Sequence, residues 1–235
     1  MEHGRECGAL VFVTATGTET GKTWWAAAIA REARARGLTV LARKPAQSYA
    51  PGDPETDADV LAAATGEDPR AVCPEHRCYD VPLAPPMAAE ALGRPAFGIA
   101  DLTAELSWPG RPDLVLVEGA GGPRSPIARD GDNVDLARAL APSFVVLVAP
   151  AGLGTINAVR LCADALAPLR LAVALNRYAA VDDLHELNRS WLSDRDGLTV
   201  VTEPAALVDV LVDVVRDEPP RAAQPGRGRS RTGRG

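Results

Sequence analysis

Lysine is almost absent from this chain. Of 25 basic residues only Lys22 and Lys44 are lysine; all the others are arginine. Where a plain positive charge suffices, this sequence uses Arg. A lysine kept against that habit marks a place that needs a compact ammonium rather than a planar fork. Cysteine is scarce too. Cys7, Cys73, Cys78 and Cys162 are too few and too scattered for a disulfide scaffold and are expected to stay reduced. The stretch Cys73-Pro-Glu-His76-Arg-Cys78 lacks the second ligand pair of a structural zinc and reads as an ordinary loop. The other histidines, His3 and His185, have no nucleophile pattern near them, which removes support for a Ser/His/Asp hydrolase. No apolar run approaches the roughly 18 residues of a membrane span. The N-terminus has no basic start followed by a long apolar stretch, as a signal peptide would. The expectation is a cytoplasmic protein without a membrane partner.

The net charge of −6 over 235 residues is unevenly spread. Residues 219–235 hold five arginines and no acid, so the remainder carries −11. This Pro/Gly/Arg-rich tail cannot build a core and is expected to be disordered. An acidic body argues against a nucleic-acid partner. Residues 1–218 are long enough for one α/β domain with a sizeable core. No internal repeat or linker divides them.

The two lysines sit in telling places. Ala9–Thr14 is a short apolar run rich in β-branched residues and reads as a buried strand. Gly21-Lys22-Thr23 follows, then an Ala- and Arg-rich helical stretch over Trp24–Arg36. Strand, Gly/Thr loop, Gly-Lys-Thr and helix together make a phosphate-binding loop. In such a loop backbone N–H groups and a helix N-terminus cradle phosphates, the Lys reaches the β/γ oxygens and the Thr hydroxyl ligates Mg²⁺. The pattern deviates: Thr16 stands where the usual first glycine belongs, and Ala15 where a one-residue-longer version would have it. Lys44 lies in Arg43-Lys44-Pro45, at the end of the next predicted strand, Thr39–Pro45. Carboxyl ends of parallel strands line the ligand crevice of such folds.

The rest of the chain alternates. Gln47–Glu55 reads as a polar loop containing Ser48, Asp57–Thr65 as a helix, and Gly66–Pro86 as an irregular Pro-rich connection. Met87–Leu92, Ile99–Ser107, Asn133–Leu140, Ile156–Leu166, Asp182–Ser193 and Pro204–Val215 read as helices. Leu114–Glu118, Phe144–Ala149, Leu171–Leu175 and Leu198–Val201 read as strands. Alternating strands and helices predict a parallel β-sheet covered by helices on both faces, of the P-loop NTPase type. Several strands end in polar or Gly-rich chemistry: Glu118-Gly119-Ala120-Gly121, the loop from Gly152 to Asn157, and Asn176. Thr23, Asp57 and Glu118 are candidate oxygen donors for a Mg²⁺ beside nucleotide phosphates. An acid that ends an apolar strand before four small residues, as Glu118 does, has little structural reason to be there.

In VTATGTETGKT, RKPAQS, TDADVL, PLAPPMAAEALG, LVLVEGAGG, GLGTIN and the strand-end Asn176, in that order and at similar spacing, the chain resembles the dethiobiotin synthetases. The likeness runs from about Val11 to Pro204. It implies a deviant Walker A loop of the dimeric class, and a homodimer working with ATP and Mg²⁺. The implied reaction is carboxylation of the diamine 7,8-diaminopelargonate with CO₂ and closure of the ureido ring of dethiobiotin. The same resemblance makes Glu19, Thr20, Gly21, Lys22, Thr23 and Trp24 the triphosphate loop, with Thr18 an added phosphate-side hydroxyl. Lys22 and Lys44 would stabilise the transferring phosphoryl group, and Thr23, Asp57 and Glu118 would hold Mg²⁺. Gly119, Ala120 and Gly121 would border the nucleotide, and Asn176 with Arg177 would read the base. Ser48 would contact the diamine and carbamate end. Leu153, Gly154, Thr155, Ile156 and Asn157 would bind the substrate carboxylate from the neighbouring subunit.

The chain departs from the family at Ala15 for a Gly, at Tyr49 for a small residue, at Pro86 for a His, and in Trp24-Trp25 after the loop. A relative acting on another diamine or amine acid is therefore the second reading. A partition-type dimeric ATPase would carry a signature Lys near the start of the loop, where Gly17 stands, and would leave Lys44 unexplained. A cobyrinate-type amide synthetase would need a C-terminal glutamine-hydrolysing domain, for which this chain is expected to be too short.

Overall fold

The computed structural model describes residues 3–4 and 6–217, so the predicted tail lies outside the described residues. Six apolar segments form one sheet: β1 (Ala9–Ala15), β2 (Val40–Arg43), β3 (Leu114–Glu118), β4 (Phe144–Pro150), β5 (Leu171–Asn176) and β6 (Thr199–Val201). Their order is β6-β5-β4-β1-β3-β2, every pair parallel. Among the described residues eight helices of seven residues or more accompany them: α1 (Lys22–Ala35), α2 (Asp57–Thr65), α3 (Pro85–Ala91), α4 (Ile99–Glu105), α5 (Asn133–Leu140), α6 (Thr155–Leu166), α7 (Asp183–Ser190) and α8 (Pro204–Asp217).

Each central strand is buried along its length because the period-2 alternation sends apolar side chains into two different cores. On one face Val11, Val13, Leu116 and Val146 pack with Trp25 and Ile29 of α1, Leu61 of α2 and Leu207 of α8. On the other, Phe12, Val115, Leu147 and Val173 pack with Ala88 of α3, Leu102 of α4, Leu136 of α5 and Val159 of α6. The chain leaves β1 toward β2 on one side, returns to β3, and crosses to β4 on the other. The strand order therefore reverses at β1, and its carboxyl end opens onto a crevice.

The predicted sheet and helices are present with shifts of a few residues, and α1 begins at Lys22 rather than Trp24. The connection expected to be irregular holds a helical turn, Pro69–Val72, a 3₁₀ turn, Glu75–Arg77, and a strand, Cys78–Tyr79. That strand pairs in parallel with Gln47–Ser48, which lies in the predicted loop. A two-residue strand carries no readable period, and its partner is 31 positions away. A small hairpin over Pro126–Ala128 and Gly131–Asp132 is also absent from the sequence reading. The helix expected over Asp182–Ser193 is capped by Asp182 and passes at Trp191 into a π-helical turn, Trp191–Arg195. Among the described residues no helix is long and apolar enough to cross a membrane.

Candidate functional site

Between β1 and α1 the backbone alternates hand. Glu19 has φ 57° and Gly21 has φ 94°, which turns successive N–H groups inward as an anion-binding nest at a helix N-terminus. Thr20 Oγ1 donates to the Gly17 carbonyl at 3.0 Å, and Lys22 Nζ donates to the same oxygen at 3.3 Å. From the end of β5 Asn176 Nδ2 donates to the Thr20 carbonyl at 2.9 Å. A Cβ at residue 21 would lie 2.3 Å from that nitrogen, so the left-handed hand and the close approach both require glycine there. Ala15, where the family has Gly, is the buried last residue of β1 and is not among the positive-φ residues. The close approach is made from the other side, by Gly122, whose added Cβ would lie 3.2 Å from the Ala15 carbonyl.

Beneath this loop three elements converge. Thr23 Oγ1 at the start of α1 lies 2.8 Å from Asp57 Oδ1 at the start of α2, and 3.0 Å from Glu118 Oε1 at the end of β3. Lys44, one residue past β2, sends its ammonium between the two carboxylates. Nζ is 2.7 Å from Asp57 Oδ2 and 2.6 Å from Glu118 Oε1, and it also donates to the Gly119 carbonyl at 3.0 Å. Lys44 and Glu118 are each 1% exposed, so Lys44 is no surface charge. The second Glu118 oxygen, Oε2, is buried without a partner.

The electrostatics follow from that packing. Burial opposes the charge on Lys44, but Asp57 and Glu118 outweigh it and hold the ammonium above the ordinary lysine range. Lys22 goes the other way: burial and the nearby Lys44 lower it, against a smaller pull from Glu118 and Asp57. Burial opposes ionisation of Asp57, yet Lys44 and the bonds from Lys44 and Thr23 hold its carboxyl below the usual range. Burial pushes Glu118 up, and Lys44 only partly offsets it. The arrangement concentrates two ammonium groups and two carboxylates at the end of a phosphate nest. It can bind a polyphosphate with a hard cation and stabilise negative charge moving between oxygens.

The site opens into a cleft of about 670 Å³. Thr18, Glu19, Gly21, Lys22, Thr23, Trp24, Lys44, Ser48, Asp57, Ala120 and Gly121 all border it. Ser48 Oγ is buried and has no partner. Asn176 packs behind Gly21, and Arg177 follows it with φ 55°. The segment from Leu153 to Asn157 does not border the cleft of its own chain. Leu153 is 91% exposed, Gly154 is left-handed at φ 88°, and Thr155 Oγ1 is buried and unpartnered.

Sequence reading missed the supporting residues. Gln47, Leu83 and Ser125 also border the cleft, next to Tyr49, which the sequence had already singled out. Asn133 Nδ2 donates to the carbonyls of Ala120 and Gly122, and its Oδ1 accepts from Ala120 N–H, which fixes the loop after Glu118. Asn188 Nδ2 likewise holds the carbonyls of Ala151 and Gly152. A buried Asn at the first position of α5 is a readable oddity; Asn188 on an amphipathic helix gives no signal of its own.

A family model described as an AAA domain matches residues 10–203. The ATP-dependent dethiobiotin synthetase BioD of Anaeromyxobacter sp. (strain Fw109-5) is 43% identical over 179 residues, covering 74% of this chain and 78% of that protein. Its counterpart from Rhodococcus jostii (strain RHA1) is 44% identical over 172 residues, covering 71% of each chain. Among solved structures, a plasmid partition protein from Borrelia burgdorferi superposes with a TM-score of 0.52 over 88% of this chain and 96% of that one; at 8% identity this is a likeness of fold alone. Identity at this level over about three quarters of the chain, together with a family match over residues 10–203 that includes the phosphate nest, the lysine between two carboxylates and the loop fixed by Asn133, is too extensive for a shared fold only, and the chain belongs to the ATP-dependent dethiobiotin synthetase family of P-loop enzymes.

Proposed function

We propose that this chain carboxylates 7,8-diaminopelargonate with CO₂ and closes the ureido ring of dethiobiotin at the expense of ATP, in biotin biosynthesis. The observation that carries the reading is Lys44 held between Asp57 and Glu118 at the floor of a cleft that runs from the phosphate nest to Ser48. A carbamate formed on one amine takes the γ-phosphoryl group and becomes a carbamic-phosphoric anhydride. The second amine attacks its carbonyl carbon, and phosphate leaves. This chemistry needs positioning and charge neutralisation rather than a protein nucleophile. Residues 18–24 hold the triphosphate. Lys22 and Lys44 neutralise charge on the transferring group, and Asn176 and Arg177 border the base. The buried, unpartnered Ser48 hydroxyl meets the carbamate end.

The donor set suits Mg²⁺. Two carboxylates and a hydroxyl meet within hydrogen-bond distance, and Glu118 Oε2 is an orphaned buried acceptor. Mg²⁺ binds through one or two carboxylates together with substrate phosphates. Thr23, Asp57 and Glu118 would hold it, and it would supply charge neutralisation on the phosphate oxygens.

The reading also includes a two-fold dimer. The segment from Leu153 to Asn157 does not line its own cleft and opens α6, so its backbone N–H groups suit a carboxylate offered by the partner's substrate. Leu161 on α6, and Leu187 on α7 with Trp191 just after it, expose apolar surface.

Incubation with ATP, Mg²⁺, bicarbonate and diaminopelargonate, followed by mass analysis, should yield dethiobiotin, ADP and phosphate. ATP turnover without that product would remove the assignment. Tyr49 borders the cleft beside Ser48, so amine acids of other chain lengths belong in the same assay. A faster reaction with one of them would favour the altered-substrate reading.

A further inference from the structure

Cys73 and Cys78 were expected to be an ordinary loop pair, yet they meet. Their sulfurs lie 3.5 Å apart, within hydrogen-bond distance. Neither is in a disulfide. Cys73 ends the helical turn after Asp68, and Cys78 opens the short strand paired to Gln47–Ser48, so two fixed elements aim the sulfurs at each other. A separate cleft of about 350 Å³, bordered by Tyr49, Asp59, Arg70 and both cysteines, leads to them. The hydrogen bond between the two sulfurs, with smaller help from Gln47 and Arg70, holds the Cys78 thiol at about 6 although burial opposes this. Cys73 is raised, chiefly by the same bond. One sulfur is thus a ready nucleophile and the other a proton-bearing neighbour.

From this placement we infer that Cys73 and Cys78 are a thiol–disulfide modification site whose state is felt at the candidate active site through Gln47. Gln47 Nε2 donates to Cys78 Sγ and to Thr56 Oγ1, both at 3.3 Å, while Gln47 Oε1 accepts from Ala58 N–H at 2.9 Å. Those contacts fix the first turn of α2, which carries Asp57. The co-reactant is a low-molecular-weight disulfide. The Cys78 thiolate attacks one of its sulfurs, forming a mixed disulfide and expelling one thiolate. Cys73 then gives up its proton and attacks Cys78 Sγ, forming the Cys73–Cys78 bond and expelling the second thiol. The protein loses two electrons and one proton, and the small disulfide becomes one thiolate and one thiol. Gln47 then loses its thiolate acceptor, and the start of α2 loses that anchor.

The modification itself is independent of the proposed reaction; its effect on nucleotide rests on that reading. The full-length protein is incubated with oxidised glutathione, alkylated, and mapped by peptide mass analysis. The expected product is a Cys73–Cys78 link that dithiothreitol reverses, with Cys7 and Cys162 still alkylated. Cys73→Ser should stop at a glutathione adduct on Cys78. Oxidised wild type without the link, whether as free thiols or as stable adducts, overturns the site. Calorimetry then compares the two redox forms. Oxidation should weaken Mg·ATP binding by about tenfold, on the order of one hydrogen bond to a charged group. Equal affinities overturn the coupling but not the disulfide. If reduced protein binds no ATP at all, it is the proposed function that fails.

Discussion

Lys44 Nζ lies 2.6 Å from Glu118 Oε1, and the two side chains, one just past β2 and the other at the end of β3, are almost wholly buried. The carboxylates hold the Lys44 ammonium charged, whereas burial raises Glu118 and Lys44 only partly offsets it. Asp57 completes the pair from the cleft side, at 2.7 Å. Lys44 therefore serves as the resident cation of a site that suits a second one.

Replacement of Lys44 separates structural from chemical roles. Lys44→Ala leaves Glu118 buried without the ammonium and should cost about 3–5 kcal/mol, less if Glu118 takes up a proton. Below its lowered melting temperature the variant should lose about 10²–10³ in kcat with a smaller change in KM for ATP. Lys44→Arg should not restore kcat, because the planar fork does not fit where a compact ammonium meets three oxygens. Thermal melts and steady-state kinetics check both statements; near wild-type kcat in Lys44→Arg would count against the catalytic role.

Among the described residues the Lys22 ammonium makes one hydrogen bond, to the Gly17 carbonyl at 3.3 Å. Lys22→Ala should therefore leave the fold intact while removing most of the affinity for ATP. Calorimetry on a variant with an unchanged circular dichroism spectrum tests this, and undiminished binding would refute the role of the loop.

Asp57 links metal and pH behaviour. Its carboxyl is held below the ordinary value of 3.8, despite opposing burial, by Lys44 and Thr23. Its ionised form therefore adds stability above the unfolded value, and the gain fades as pH falls through the lower folded value. The stability gap between wild type and Asp57→Asn should stay constant from about pH 5 to 7 and close in more acid solution. The same variant should need about tenfold more Mg²⁺ for tight ATP binding, on the order of one lost carboxylate ligand. A gap that widens toward low pH, measured by urea titration, would reverse the sign of this account.

Assembly is tested at the exposed apolar positions. Leu187, 67% exposed on α7, changed to Glu should shift the protein to monomer in sedimentation and lower kcat/KM for the diamine more than for ATP. A monomer with full activity would leave residues 153–157 without their role.

The sequence by itself determined the sheet, the phosphate loop and the family. Strand runs such as LVLVE and the Gly/Thr loop GTETGKT carry local signals, and two retained lysines stand out against an arginine background. It also determined which residue types could gather at the strand ends, because parallel strands send all those ends to one edge. Only the tertiary structure decided that Lys44 is buried between Asp57 and Glu118 rather than lying free above the cleft, since that depends on three elements up to 74 residues apart. It alone showed why Ala15 is tolerated: the tight approach falls on Gly122. It alone brought Cys73 and Cys78 together and tied them through Gln47 to the start of α2. Pairing of a two-residue strand has no period for a sequence to display; it is fixed by long-range packing, and that packing is what the local pattern leaves open.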